Sequence, residues 1–205
     1  MSPEQKQRRR LILHADHRNQ YAVVELLSRS YVEEFFDDVS ILLRRGRTLA
    51  MLCRYAEADA AFDAAFQHAS NDLLPFIWSA RAEAASRRGD LAEAQRCFLL
   101  ADELLPRTSW ILIPLAHVTW LRGDLKLAQR RFQQALLVEG SDGDRDEALF
   151  NLGGVLVALG RFDEAASCYR EAVELSPDYE IAQNRLEDVQ AALLILQRNN
   201  RSHAS

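Results

Sequence analysis

The sequence predicts an all-α fold of helical hairpins stacked in series, and three observations carry that prediction. A short motif recurs at near-constant spacing, small and aromatic residues hold fixed columns around it, and helix breakers fall at the junctions. The motif reads Arg88-Gly89-Asp90-Leu91-Ala92-Glu93-Ala94, then Arg122-Gly123-Asp124-Leu125-Lys126-Leu127-Ala128, then Leu159-Gly160-Arg161-Phe162-Asp163-Glu164-Ala165. A fourth copy, Cys53-Arg54-Tyr55-Ala56-Glu57-Ala58, has no glycine. Anchored on Cys53, Gly89, Gly123 and Gly160, the copies lie 36, 34 and 37 residues apart.

Each column has a physical role. Eleven residues before the anchor stand the large apolar residues Leu42, Trp78, Leu112 and Leu149. Seven before it stand Gly46, Ala82, Ala116 and Gly153, and five after it Ala58, Ala94, Ala128 and Ala165. Residues this small let two helices approach closely. Nine after it stand Phe62, Phe98, Phe132 and Tyr169, and twelve after it Ala65, Ala101, Ala135 and Ala172. The last two columns are three residues apart, hence on one helical face. A glycine anchor supplies the left-handed residue that ends the first helix of each pair. Pro106 and Pro177 stop the second helix. Each pair buries only part of its apolar surface, so neighbours must stack.

The resulting hairpins occupy about 39–72, 75–108, 109–142 and 146–179. Residues 1–38 form a degenerate first repeat or cap. Tyr21 to Phe36 is its second helix, with Leu26, Leu27 and Tyr31 on the apolar side, and about 4–15 supplies the partner helix. Ile12 and Val24 take the small columns there, and Ser28 the aromatic one. Residues 179–205 form a capping helix to about Gln197, with Ile181, Leu186, Val189, Leu193 and Ile195 as its apolar members, and a frayed polar tail from Asn199 to Ser205.

Composition narrows the function. The 205 residues carry a formal charge of -5, a poor basis for sequence-independent nucleic-acid binding. No apolar run reaches the length of a membrane span or a secretory leader; after Arg8-Arg9-Arg10 only Leu11-Ile12-Leu13 is apolar. That points to a soluble cytoplasmic protein. Cys53, Cys97 and Cys168 form no Cys-x-x-Cys pair, so neither a zinc ribbon nor a redox pair is expected, and the thiols suit a reducing compartment. Lysine occurs only at Lys6 and Lys126 while arginine abounds, a bias of GC-rich bacterial genomes.

Sharper chemistry finds no support. Asp142-Gly143-Asp144-Arg145-Asp146 begins like a calcium loop, but Glu147 and Gly153 stand where the loop needs its glycine and glutamate. It reads as an insertion between hairpins. His14 and His17 share a helical face with no third ligand in view. Gly153-Gly154 follows no strand and reads as a close-packing site, not a phosphate loop. No catalytic residue, cofactor or metal is expected.

The columns resemble the tetratricopeptide repeat. The clearest copy runs from Asp146 to Tyr179, with Asn151-Leu152-Gly153, Gly160, Ala165, Tyr169, Ala172 and Pro177 on the family motif. Cys53 for the turn glycine and Gly140 for the usual proline are departures. The resemblance implies a right-handed α-α superhelix whose first helices line a concave groove that binds another protein. On that basis the groove residues are Arg44, Arg47, Phe76, Glu83, Arg87, Trp110, Ile113, His117, Trp120 and Phe150. Gly154 and Val157 stand at inward positions too, and Trp120 and Phe150 double as packing between repeats. Arginine at one end and aromatics at the other suit an acidic-hydrophobic peptide or helix. The lysines and all but one asparagine of the family's chaperone-carboxylate clamp are missing, so no such clamp is expected.

The expected role is therefore a protein-interaction module: scaffold, adaptor or chaperone. The plan loosely resembles bacterial type III secretion translocator chaperones. Alternatives are a non-catalytic subunit of an enzyme system and a self-associating structural protein, a homodimer. The natural-looking end at Ser205 speaks against a fused catalytic domain.

Overall fold

The computed structural model describes residues 1–138 and 144–203, with side chains to 198. Among the described residues the structure is helical throughout, without strands. The chain divides into two compact units, Met1–Pro106 and Arg107–Ser205.

The first unit holds three hairpins: α1 (Pro3–His17) with α2 (Tyr21–Glu34), α3 (Val39–Met51) with α4 (Tyr55–His68), and α5 (Leu74–Arg87) with α6 (Leu91–Leu104). A short 3-10 turn, Asn71–Leu73, leads into α5. The second unit holds α7 (Ser109–Leu121) with α8 (Leu125–Leu136), α9 (Arg145–Ala158) with α10 (Phe162–Leu175), and the long α11 (Glu180–His203). In each unit every helix packs on its hairpin partner, and successive first helices (α1, α3 and α5; α7 and α9) lie against one another.

The hairpin turn is one device used five times. Gly89, Gly123 and Gly160 have φ of 85°, 88° and 74°. Cys53 holds the same region at 59°, and so does Asn19 at 54°. At Gly89 the turn amide donates to Ser86 and the next amide to Ala85, closing the last turn of α5. Cys53 repeats the bonds to Ala50 and Leu49, and Asn19 those to Asp16 and Ala15. The degenerate first segment is thus a hairpin with the geometry of the others, its turn held by asparagine, the residue after glycine that best tolerates a left-handed backbone. Asp90 and Asp124, following their glycines, cap the second helices by accepting from the amides of Glu93 and Leu127 at 3.0 Å each.

The columns are the core. Phe62, Phe98, Phe132 and Tyr169 are buried, as are the alanines five and twelve residues past each anchor. The small column faces the aromatic one: a Cβ on Gly46 would meet the Phe62 ring at 2.3 Å, and one on Gly153 the Tyr169 ring at 2.7 Å. In the first hairpin the sizes are exchanged, with Ile12 in the small column and Ser28 in the aromatic column, both buried.

Three expectations need correction. Leu26 is 66% exposed; the inner face of α2 is Val24, Glu25, Ser28 and Tyr31. Glu25 can be buried there because Arg29 and Arg54 reach it at 2.5 and 3.1 Å. On α11, Ile181 and Ile195 are each 58% exposed, and the packed row is Ala182, Leu186, Val189 and Leu193. Helix α11 also continues to His203, past the expected end near Gln197. The beginning of the Asp142–Asp146 motif and Gly140 lie outside the described residues. The rest of that motif is structural: Asp144 accepts from the Ser109 hydroxyl and Asp146 from that of Ser176, both at 2.5 Å.

Candidate functional site

In the second unit the first helices and α11 enclose a cavity of about 570 Å³. Helix α7 contributes His117 and Trp120, α9 contributes Phe150, Gly154 and Val157, α10 contributes Phe162 and Tyr169, and α11 contributes Arg185, Asp188 and Val189. Gly154 shapes it. A Cβ there would stand 2.6 Å from the Trp120 ring, so only glycine lets the indole lie against α9. His117 meets Trp120 edge-on at 5.9 Å between ring centroids. Burial lowers the pKa of His117, which favours neutral imidazole. Phe150 lies 5.8 Å from Tyr169 and 5.1 Å from Tyr179.

A second cavity, of about 740 Å³, adjoins the N-terminal half of α9 and shares Phe150 and Asn151 with the first. Asp146, Glu147, Ser176, Pro177, Asp178 and Tyr179 complete it. Glu147 is exposed by surface area, yet enough protein surrounds its carboxyl that desolvation, and then the charges of Asp144 and Asp146, raise its pKa.

In the first unit a smaller cavity of about 220 Å³ lies between α3 and α5, lined by Val39, Ser40, Leu43, Arg44, Arg47, Leu73 and Phe76. Arg44 forms an ion pair with Asp16 of α1, and Arg47 approaches Glu83 of α5 at 3.9 Å. Both guanidiniums are therefore partly committed within the chain. Arg87 is exposed at the end of α5.

The expected groove residues thus fall into two groups, each within its own unit. Arg44, Arg47 and Phe76 share the cavity of the first unit, with Glu83 beside Arg47. His117, Trp120 and Phe150 share the cavity of about 570 Å³ in the second unit. Trp110 is half-buried and lines neither. Ile113 is 4% exposed and belongs to the core, so it offers a partner no surface. Sequence reasoning missed Arg185 and Asp188 because α11 reads as a solvated cap. Its residues reach the cavity only because α11 occupies the place of a further first helix. The acidic wall was missed as well, since Asp178 and Glu147 are distant in sequence.

Two other features bear on chemistry. Burial, then a hydrogen bond to Glu93, pushes the Cys97 thiol up to about 12, and burial pushes Cys168 to about 11. Such thiols are poor nucleophiles at neutral pH. Among the described residues no cluster of His, Cys, Asp or Glu could hold a metal ion, and no helix is long and apolar enough to cross a membrane.

Comparison with known proteins agrees with the hairpin geometry. Tetratricopeptide repeat family models match residues 75–98 and 107–178. No curated protein shows significant sequence similarity to the chain. Among solved structures, a thermophilic TPR protein of Thermus thermophilus superposes with a TM-score of 0.74 at 20% identity, over 91% of this chain and 99% of that one. MamA from Desulfovibrio magneticus gives 0.69 at 16%, over 87% and 98%. YrrB, described as a TPR protein with an unusual peptide-binding site, gives 0.61 at 14%, over 84% and 87%. Identities this low establish shared fold alone. Residues 75–98 and 107–178 are thus tetratricopeptide repeats, and the same left-handed turn recurs at Asn19 and Cys53 in the hairpins before them.

Proposed function

We propose that this chain is a protein-interaction module of the adaptor, scaffold or chaperone kind, holding a segment of a partner against its first helices. The observation that carries the reading is the aromatic cavity of about 570 Å³ in the second unit. It has the size and lining of a pocket that takes an apolar side chain, with few polar groups at its edge. Glycine at position 154 lets the Trp120 indole lie against α9, where it forms one wall. The peptide-binding site described for YrrB is consistent with such a use of the fold. Three unpaired thiols, Cys53 exposed, Cys168 half-buried and Cys97 buried, fit a reducing cytoplasm, and the reading needs no cofactor, metal or nucleic acid.

The cavity of the first unit, bordered by Arg44 and Arg47, suits an acidic-apolar stretch of the partner. Affinity capture from native lysate tests both faces. Ala158 lines the aromatic cavity and is itself exposed, so Ala158→Trp fills the space without entering the core. Specific partners should be lost with Ala158→Trp and reduced with Arg44, Arg47 and Arg87 all changed to Glu. Identical partner sets for wild type and both variants would sink the proposal.

One observation favours a second reading, self-association. Leu194, Ile195 and Leu196 of α11 are 57%, 58% and 44% exposed in a row. Light scattering separates the readings: a monomer at micromolar concentration eliminates the homodimer.

A further inference from the structure

The two cavities of the second unit share Phe150 and Asn151, so together they make one groove along α9, beginning at Asp146 and Glu147 and ending at Ala158. Its charges are lopsided. Asp146, Glu147, Asp178 and Asp188 line it against the single guanidinium of Arg185, which lies 3.8 Å from Asp188. Arg145, next to the acidic end, is engaged with Glu171 at 2.8 Å and with the Leu136 carbonyl. Among the described residues no ion pair forms on Asp146, Glu147 or Asp178. The positive end of a helix accounts for two acids at the start of α9. The start of α11 accounts in the same way for Asp178, but neither helix end accounts for the three acids converging on one groove or for the aromatic trough of Phe150, Tyr179 and Trp120 that continues from them.

We infer that this groove selects a partner segment bearing a lysine or arginine near a large apolar anchor, the cation at the Glu147 end and the anchor beside Trp120. The inference rests on the reading of the second unit as a segment-binding surface and adds the chemistry of the segment. It reverses, for this unit, the acidic partner that the arginines of the first unit suggest. The geometry also sets a spacing. From Glu147 to Gly154 the helix advances about 10 Å, a distance that about three residues of extended chain span. Burial of the anchor supplies most of the affinity, and the carboxylates supply orientation and discrimination against acidic segments.

The test is selection of a displayed library of random twelve-residue peptides on the full chain. Enriched peptides should carry Lys or Arg two to four residues from Leu, Ile, Phe or Trp. Ala158→Trp, and independently Ala192→Trp, should abolish their binding. Glu147→Gln combined with Asp178→Asn should weaken it about fivefold and flatten its salt dependence. Peptides that are lost with the blocking variants but are acidic or uncharged, or that bind the neutralised protein equally well, overturn the inference and leave the groove standing. No enrichment on the wild type, or peptides that ignore both blocking variants, overturns the groove reading as well.

Discussion

Cys53 stands where the other turns have glycine or asparagine, with φ of 59°. A left-handed backbone costs an ordinary L-residue roughly 1–2 kcal/mol. Cys53→Gly is therefore expected to stabilise the protein by about 0.5–1 kcal/mol, the relief of strain exceeding the added chain entropy. Chemical denaturation checks this, and a loss of stability would show that the turn is not strained. The opposite experiment is Gly153→Ala. The new methyl would stand 2.7 Å from the Tyr169 ring, and overpacking of this kind costs about 1–3 kcal/mol. Thiol labelling separates the cysteines. At neutral pH Cys53, which is exposed, should react first, the half-buried Cys168 more slowly, and Cys97 only on unfolding.

Legibility at this scale followed residue type. Columns that depend on volume, such as Gly46 against Phe62, were plain in the sequence because close packing tolerates few alternatives. The turn at Asn19 was not, since asparagine marks many local structures. The burial of Glu25 was hidden because, beyond Arg29 four residues on in α2, its second partner Arg54 comes from the turn before α4, and only the fold brings it there.

At the scale of elements, helix pairs are tied by ion pairs as well as by packing. Arg81 of α5 reaches Asp63 of α4 at 2.7 Å, and Arg88 reaches Asp59 at the same distance. Within α6, Arg96 holds the Glu93 carboxyl at about 2, against the effect of burial and with help from the Cys97 thiol. A carboxyl depressed in the folded state stabilises it fully above the ordinary value of 4.5 and loses that contribution as pH falls toward 2. Glu93→Gln should therefore flatten the dependence of unfolding free energy on pH between about 4.5 and 2. An unchanged slope would assign the acid sensitivity elsewhere. Helix α11 shows what element-level reading loses. Its apolar residues are spread around the helix, and the row that packs, Ala182, Leu186, Val189 and Leu193, is chosen by α9 and α10 beneath it. Ile181 and Ile195 have the same hydrophobicity but the wrong angular position.

For the whole molecule, the repeat period alone was enough to establish hairpins in series, because each hairpin's unburied face demands a neighbour. Which exposed side chains serve a partner was far less legible. Arg44 and Arg47 promised a basic face, yet Asp16 and Glu83 from neighbouring helices partly answer them. The acidic trough of the second unit gathers Glu147 from α9, Asp178 from the turn before α11 and Asp188 from α11, a grouping that no local motif announces. The central claim is that the first-helix face of the second unit holds a partner segment. Hydrogen–deuterium exchange of the full chain with and without a captured partner tests it most directly. Protection should rise in α9 and in the facing parts of α7 and α11, and the rise should vanish in Ala158→Trp. Protection confined to the second helices, α8 and α10, would contradict the account.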